Sequence, residues 1–294
     1  DLQRHGLDQA IAEHLNLPSS QIDMSDWENL VHQWANPEQN IEIGIIGKYI
    51  ELHDAYKSIY EALSHAGTAN KTKVHFRKIS AESLCEKDPS AILEGVSGIL
   101  VPGGFGERGL EGKISAIKWA RENNVPTFGI CLGMQAITIE FARHVAGIKD
   151  ANTSEVNKEC NNPVIDLMAE QKSIRDKGGT MRLGAYACKI IPNTKLAEFY
   201  GAEMVFERHR HRWEFNNNYK EVLEKEGLTA SGIFEKQNLV EVVELSEHDF
   251  FIGVQYHPEF KSKPLNPHPL FKAFISAALK HYLNKAQGKH SVEA

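Results

Sequence analysis

The chain has 294 residues and a mass of 33.0 kDa, which suits one large α/β domain with extensions or two small domains. Its net charge of −6 argues against a nucleic-acid-binding protein that works through a broad basic surface. No apolar run reaches the roughly 18 residues that a membrane-spanning helix needs, and residues 1–6 contain no apolar signal core. The four cysteines form no CxxC pair, so we expect reduced thiols in a cytoplasmic protein.

The first 40 residues are polar and differ in composition from the rest of the chain. Two stretches, Leu7 to Leu15 and Asp26 to Trp34, have helical spacing, and the second ends at Asn36 and Pro37. We therefore expect residues 1–40 to be a connector, with its own helices, that packs against something else.

From residue 41, strands and helices alternate with the spacing of βαβ units. The predicted strands are 41–47, 73–79, 97–101 and 125–130. The predicted helices are 53–66, which Gly67 ends, 113–123 and 132–145. This alternation predicts an α/β fold with a mostly parallel central sheet flanked by helices.

The second half of the chain is less regular. Residues 149–180 are polar and are predicted to form a loop, and the runs 238–245 and 250–256 predict an antiparallel hairpin. His268 to Tyr282 is predicted to be a closing helix. We expect one domain over residues 41–284 and a mobile tail over residues 285–294.

Cys131 lies between a predicted strand and a predicted helix, with Gly129 and Gly133 two residues before and after it. This is the cysteine form of the nucleophile elbow, in which a sharp turn needs glycines that have no Cβ to clash. The helix N-terminus then favours a thiolate at Cys131. The alternative is a small buried hydrophobic residue, which we prefer for Cys85, Cys160 and Cys188.

His257 and Glu259 lie at the end of a predicted strand, with Pro258 between them. Pro258 favours an extended conformation at His257, and residues two apart in an extended chain point the same way. The carboxylate could then orient the imidazole, so that Cys131, His257 and Glu259 form a triad for acyl transfer. A lone histidine at a strand end would otherwise be structural.

Residues 103–106, Gly-Gly-Phe-Gly, follow a predicted strand. The segment lacks the Lys-Ser/Thr pair of a P-loop, so a phosphate site is not indicated. Backbone N–H groups at Gly103 and Gly104 could instead stabilise an oxyanion, with the N–H of Leu132 as another donor. A simple tight turn is the alternative.

These segments together resemble the class I, triad-type glutamine amidotransferases, a family with a flavodoxin-like fold. The matching stretches are residues 100–106, 129–135 and 255–260. Further stretches resemble the CTP synthase family in particular: residues 44–49, 54–58, 178–184 and 207–212. The resemblance covers about residues 40–284, and it implies that residues 1–40 are the interdomain linker and its helices.

The resemblance implies that Cys131 attacks the side-chain amide of L-glutamine and forms a γ-glutamyl thioester, from which ammonia and then glutamate leave. It also implies a set of glutamine-binding residues, which are Gly104, Phe105, Leu132, Gln135, Glu155 and Arg212. A carboxylate such as Glu155 suits an α-ammonium group because charge-assisted hydrogen bonds are strong. From the residues alone, a solvated surface glutamate would be preferred.

In this family, ammonia passes to an amidoligase (synthetase) domain that makes CTP from UTP with ATP and magnesium. The resemblance implies that this chain is the glutaminase half, with no cofactor or metal of its own, and that the full-length enzyme is a homo-oligomer. It also implies activation by GTP. Arg108 and Arg182 are the candidate contacts for GTP, and solvated arginines are the alternative for both.

Other functions stay open at this stage. The run Arg208 to Trp213 could bind RNA or phosphate, and His209 with His211 could bind a metal, although the run is short and flanked by glutamates. The same elbow occurs in cysteine peptidases and γ-glutamyl hydrolases. A regulatory or assembly module with an idle triad is the non-enzymatic alternative.

Overall fold

The computed structural model describes residues 3–18, 23–167 and 181–290. The helices are α1 (Leu7–His14), α2 (Ser25–Ala35), α3 (Lys57–Ala69), α4 (Ser83–Glu86), α5 (Pro89–Leu93), α6 (Leu110–Glu122), α7 (Leu132–His144), α8 (Lys195–Tyr200), α9 (Lys220–Lys225) and α10 (Pro269–His290). Short 3-10 helices cover Gln3–His5, His53–Tyr56, Asn217–Tyr219 and Pro258–Lys261. Among the described residues, no helix combines the length and the apolar character needed to cross a membrane.

The strands form two sheets. They are β1 (Gln39–Gly47), β2 (Thr72–Ser80), β3 (Gly98–Val101), β4 (Thr127–Ile130), β5 (Ala151–Thr153), β6 (Asn162–Asp166), β7 (Arg182–Ile190), β8 (Met204–His211), β9 (Glu214–Phe215), β10 (Leu228–Phe234), β11 (Leu239–Leu245) and β12 (Phe251–Val254). Nine strands form the large sheet in the order β2-β1-β3-β4-β12-β11-β10-β7-β8, and β5, β6 and β9 form the small one.

The large sheet has a parallel half and an antiparallel half. Strands β2, β1, β3, β4 and β12 are mutually parallel, which confirms the predicted parallel α/β core. The predicted hairpin is also present, because β11 pairs antiparallel with β12. The antiparallel half is larger than that hairpin, since β10, β7 and β8 extend it.

Several element boundaries differ from the predictions. Gly67 does not end α3, which continues to Ala69, because Gly67 lies against β2: a Cβ there would be 2.7 Å from the Thr72 carbonyl oxygen. Within the predicted loop 149–180, the structure has β5 and β6, and residues 168–180 lie outside the described part. The closing helix continues to His290, past the predicted end at Tyr282, and residues 291–294 of the expected tail lie outside the described residues.

The N-terminal helices α1 and α2 have no buried residue among those described. Their apolar side chains are exposed, with Trp27, Val31 and Trp34 on α2 being the largest examples. The assignment of residues 1–40 as an interdomain linker stays a prediction, with which this exposure is compatible.

The sheet order places three loops side by side. Strand β4 is hydrogen-bonded to β3 on one side and to β12 on the other, and all three are parallel. Their carboxyl ends therefore lie at one edge, where open α/β sheets bind their ligands. The loops that follow these strands begin at Pro102, Cys131 and Gln255.

Helix α7 lies unusually close to the sheet because two glycines allow it. A Cβ on Gly133 would lie 2.1 Å from the carbonyl oxygen of Val101, at the end of β3. A Cβ on Gly129 would lie 2.6 Å from the carbonyl carbon of Gly133. No side chain larger than hydrogen fits at either position without moving the backbone.

We predict that Gly133→Ala lowers both stability and any activity that depends on Cys131. Glycine to alanine inside a helix normally stabilises by about 0.5–1 kcal/mol, so the usual sign should be reversed here. Thermal unfolding of the variant should show a Tm lowered by several degrees, as expected for a loss of about 2 kcal/mol in a protein of this size. A Tm equal to or above that of the parent protein would show that α7 can move away from β3 at little cost.

Candidate active site

Cys131 occupies the turn between β4 and α7, where it is the residue preceding the first residue of the helix. Its φ of 53° and ψ of −104° lie in a region that residues with a side chain rarely adopt. Its backbone N–H donates to the carbonyl oxygen of Val254 over 2.7 Å, which ties the turn to β12. This strained backbone is the elbow that the two flanking glycines predicted, and such strain is concentrated at functional sites.

His257 and Glu259 are in contact, although not in the way the sequence suggested. The imidazole Nδ1 lies 2.8 Å from Glu259 Oε1. We expected an extended segment, but Pro258–Lys261 forms a 3-10 turn, and His257 is the residue before it. The turn, with Pro258 in its first position, brings the carboxylate back to the ring.

The three side chains of the predicted triad converge on one cleft. A Cβ on Gly103 would lie 3.0 Å from His257 Cε1 and 3.4 Å from Cys131 Cβ, so both side chains meet at this glycine. The cleft measures about 280 Å³, and its wall includes the following residues: Tyr49, Tyr56, Gly103, Gly104, Phe105, Cys131, Arg210, His257 and Glu259. A cleft of this size suits a small metabolite.

The electrostatics favour a charged imidazole beside the thiol. Burial opposes protonation of His257, but its interactions with Cys131 and Glu259 outweigh burial and raise the pKa of the ring to about 10. The imidazole therefore lies between its orienting carboxylate, Glu259, and the nucleophile, Cys131, with which the ring also interacts. Cys131 and His257 have the geometry that a nucleophile and its acid–base partner need.

The loop after β3 is held at its second end, around Phe105 and Gly106, by two polar contacts. The N–H of Gly106 donates to Glu155 Oε1 over 2.8 Å, and Lys48 Nζ donates to the carbonyl oxygen of Phe105. A Cβ on Gly104 would lie 3.4 Å from the Leu132 side chain. The predicted oxyanion donors at Gly103, Gly104 and Leu132 therefore lie around Cys131.

Glu155, which the family resemblance also placed at the substrate, follows β5 and reaches the same loop. Burial raises the pKa of Glu155, whereas the Gly106 N–H, Lys48 and Arg212 lower it. Arg212 is thus near Glu155, and its guanidinium also lies 5.6 Å from the centre of the Trp213 ring. An anion that contacts the loop lining the cleft, with a cation near it, suits the two charged ends of an amino acid.

Gln135 is buried on α7, one turn after the nucleophile. Its Nε2 donates to the carbonyl oxygen of Trp213 and to Gln255 Oε1, each over 3.2 Å. Gln255 in turn reaches Cys131 Sγ at 3.8 Å through its Nε2. A contact between Gln135 and substrate stays a prediction, because these bonds also give the side chain a structural role.

Sequence reasoning missed three residues that border the site. Gln255 and Arg210 contact Cys131, the second through its carbonyl oxygen at 4.0 Å from Sγ. Lys48 contacts the oxyanion loop, as described above. Gln255 and Lys48 lie inside stretches that resemble the family, and Arg210 belongs to the basic run, so proximity to these motifs was the available signal.

The two arginines proposed as effector contacts occupy very different places. Arg108 is exposed, and its guanidinium lies 5.4 Å from the centre of the ring of Tyr49, a residue of the cleft wall, and 3.5 Å from Glu82. Arg182 is buried, and its guanidinium pairs with Glu241 at 2.7 Å and Glu214 at 3.2 Å. Because its charge is already compensated inside the protein, Arg182 is not available to a ligand in solution, and the structure argues against its assignment as an effector contact.

The basic run near residue 210 is explained by strand alternation in β8. Arg208 and Arg210 point outward, whereas His209 and His211 are buried and their rings are linked at 2.9 Å, Nδ1 to Nε2. Burial, with Arg182 nearby, lowers the pKa of His209 to about 2 and that of His211 to about 3, so both are neutral. Within the described residues, no group of three or more His, Cys, Asp or Glu side chains could hold a metal ion.

Comparisons with known proteins agree with this geometry. The model of the family described as "Glutamine amidotransferase class-I" matches residues 51–277. A CTP synthase of Caldanaerobacter subterraneus is 53% identical over 98% of this chain, and that of Bacillus subtilis is 50% identical over 95% of it. These alignments cover 53% and 52% of the two relatives, so the chain spans about half the length of the curated relatives it matches.

Solved structures give the same result. The glutaminase domain of Trypanosoma brucei CTPS, with bound acivicin, superimposes with a TM-score of 0.77 at 38% identity, covering 82% of this chain and 94% of that one. A Thermoplasma acidophilum protein described as a GMP synthase component, at 15% identity and a TM-score of 0.55, shares the fold, with 84% of this chain and 98% of that one covered. The chain belongs to the class I glutamine amidotransferases and, within them, to the CTP synthase glutaminase domains.

Proposed function

We propose that this domain hydrolyses L-glutamine to glutamate and ammonia through a thioester on Cys131. The observation that carries the proposal is the convergence of Cys131, the His257–Glu259 pair and the Gly103–Gly104 loop at the ends of three adjacent parallel strands. Family membership selects glutamine over a peptide or a γ-glutamyl conjugate as the substrate.

In the first half of the reaction, the thiolate of Cys131 attacks the amide carbon of the glutamine side chain. Negative charge moves to the amide oxygen, where the N–H groups of Leu132 and of the Gly103–Gly104 segment stabilise it. One such donor typically lowers the barrier by about 3 kcal/mol. The charged His257 gives its proton to the leaving nitrogen, ammonia departs, and the thioester forms.

In the second half, His257 has lost its proton and acts as a base. It removes a proton from water, which attacks the thioester carbon and passes through a second oxyanion at the same donors. Glutamate leaves, and the thiolate–imidazolium pair is restored. Glu259 keeps the ring oriented throughout and stabilises its charged form, since it lies 2.8 Å from Nδ1.

The substrate's charged ends need partners away from the reacting amide. Glu155 is suited to the α-ammonium and Arg212 to the α-carboxylate, with Phe105 and Gly104 beside the chain of the substrate. Gln135 supports the position of these groups or binds substrate directly. These roles follow the family resemblance. They are supported by the position of Gly104 and Phe105 in the wall of the cleft and by the contact of Glu155 with the next residue of that loop, Gly106.

In the full-length protein, the ammonia would serve the ATP-dependent amination of UTP to CTP, with magnesium, in a synthetase domain outside this chain. The glutaminase domain itself would need no cofactor or metal. GTP would act as an effector near Arg108, whose guanidinium lies beside Tyr49, a residue of the cleft wall. A cytoplasmic homo-oligomer is the expected form of the complete enzyme.

Cys131→Ala is predicted to abolish the release of ammonia from glutamine while leaving the fold intact. The nucleophile is lost, but a small side chain remains at a position with 2% exposure. Coupled assay of ammonia and glutamate, with and without GTP, measures the effect. Cys85→Ala is the matched control, because Cys85 lies outside the cleft and is an exposed thiol; the expectation that it is buried was wrong. Glutamine hydrolysis that survives in Cys131→Ala would refute the proposed function.

His257→Gln is predicted to slow the alkylation of Cys131 by iodoacetamide at least tenfold at pH 6.5. An ordinary thiol with a pKa of about 8.5 is only about 1% thiolate at that pH, whereas an imidazolium beside a cysteine favours its thiolate form. Mass spectrometry of the peptide containing residue 131 gives the rate. His75→Gln, on the exposed surface of β2, should alkylate like the parent protein. Equal rates in the two variants would mean that the ion pair does not form.

Glu155→Gln is predicted to raise the KM for glutamine by tenfold or more and to change kcat less. Losing the charge removes the ion pair with the α-ammonium, but the amide oxygen can still accept from the Gly106 N–H. Glu159→Gln is the control, since Glu159 is exposed a few residues along the chain. Steady-state kinetics would contradict the assignment if KM were unchanged in Glu155→Gln.

A further inference from the structure

A lysine lies inside the protein beneath the oxyanion loop. Lys113 has 0% exposure on α6, on the same face as the buried Leu110, Ile114 and Ile117. Its Nζ donates to the carbonyl oxygen of Pro102 over 3.3 Å, and it would lie 3.8 Å from a Cβ on Gly104. Burying a charged side chain on an apolar helix face lowers the stability of the fold, so a function is expected for a lysine that lies directly under the site.

The contact with Pro102 controls the direction of a peptide group. In a trans peptide the carbonyl and the next N–H point in opposite directions, so a bond to the Pro102 carbonyl also sets the direction of the Gly103 N–H. Gly103 is the residue that meets both His257 and Cys131. At the other end of the loop, Lys48 holds the Phe105 carbonyl, and the following N–H, of Gly106, donates to Glu155. Two lysines thus fix the two ends of the segment 102–106.

The charge of Lys113 is also coupled to the nucleophile. Burial lowers the pKa of Lys113 to about 7, Lys48 contributes to the lowering, and Cys131 opposes it. The effect of Cys131 is reciprocal, because a thiolate that favours the ammonium is itself favoured by it. The groups that face Lys113 are therefore a cation, a carbonyl and the reactive sulfur.

We propose that Lys113 is a positioning residue for glutamine hydrolysis, holding the Pro102 carbonyl so that the Gly103–Gly104 segment faces the developing oxyanion and supplying positive potential behind the Cys131 thiolate. This proposal rests on the proposed glutaminase function. It assigns a task to a side chain that does not contact the cleft and that no part of the triad mechanism requires.

The test compares Lys113→Met with Lys113→Arg and with Lys118→Met in the same chain. Methionine has nearly the same length without the charge or the donor, and Lys118 is an exposed lysine on the same helix. We expect kcat for glutamine hydrolysis to fall about tenfold in Lys113→Met with KM changed less than twofold. Lys113→Arg, if it folds, should recover part of the loss, and Lys118→Met should behave like the parent protein.

Two further measurements separate this role from simple stabilisation. The Tm of Lys113→Met should be equal to or above that of the parent, because an apolar side chain replaces a buried charge. The midpoint of the pH profile for Cys131 alkylation should move upward in Lys113→Met and stay in place in Lys118→Met.

Three results are decisive. If kcat in Lys113→Met stays within twofold of the parent, the proposal is wrong. If activity falls together with a lowered Tm and an unchanged alkylation profile, Lys113 is only a structural residue, and the proposal is also wrong. If the parent protein itself releases no ammonia from glutamine, the failure belongs to the proposed function, whereas the alkylation profiles of the same variants still test the coupling of Lys113 to Cys131.

Discussion

The turn at Cys131 is the constraint on which the rest of the site depends. Its backbone is strained, and it is possible only because α7 lies almost against the ends of β3 and β4, where the positions of Gly129 and Gly133 leave no room for a Cβ. The same closeness points the start of α7 at the cleft, so the sulfur and the Leu132 N–H reach the substrate from one rigid element. The geometry of the nucleophile and of one oxyanion donor is thereby set by packing.

Sheet order then brings the remaining groups to the nucleophile. The loop after β3 and the turn after β12 flank Cys131 because these strands are the two neighbours of β4. The order of the strands along the chain does not show that His257 lies next to Cys131. Strand β12 begins more than 120 residues after β4 ends, and it forms an antiparallel hairpin with β11, the strand before it. The sequence identified each segment by its local chemistry, and only the parallel pairing of β12 with β4 explains why they meet.

The parallel half of the fold was predictable because its signals are local. Strands β1, β3 and β4 are buried apolar runs, β2 alternates polar and apolar residues, and α3, α6 and α7 carry apolar residues at helical spacing. Strand β8 was missed because its pattern is inverted: Glu207, His209 and His211 face inward while Phe206 is exposed. Arg182 was wrongly assigned as an effector contact for a related reason. A single arginine is normally expected to be exposed to solvent, and its buried partners, Glu214 and Glu241, are distant in the sequence.

Lys113 is another buried charged residue that was not identified from the sequence, although most of its helix, α6, was predicted. Its spacing from Leu110, Ile114 and Ile117 places it on the buried face, and a polar residue at such a position is the signal that local rules are being overridden. Both buried cations lie close to the site: Lys113 holds the Pro102 carbonyl next to Gly103, and the carboxylates that pair with Arg182 also face His209 and His211. The buried charges of Lys113 and of the cluster around Arg182 therefore lower the stability of the fold close to the reacting atoms. There, low surrounding polarity makes each fixed charge act more strongly on a thiolate or an oxyanion than the same charge would in water.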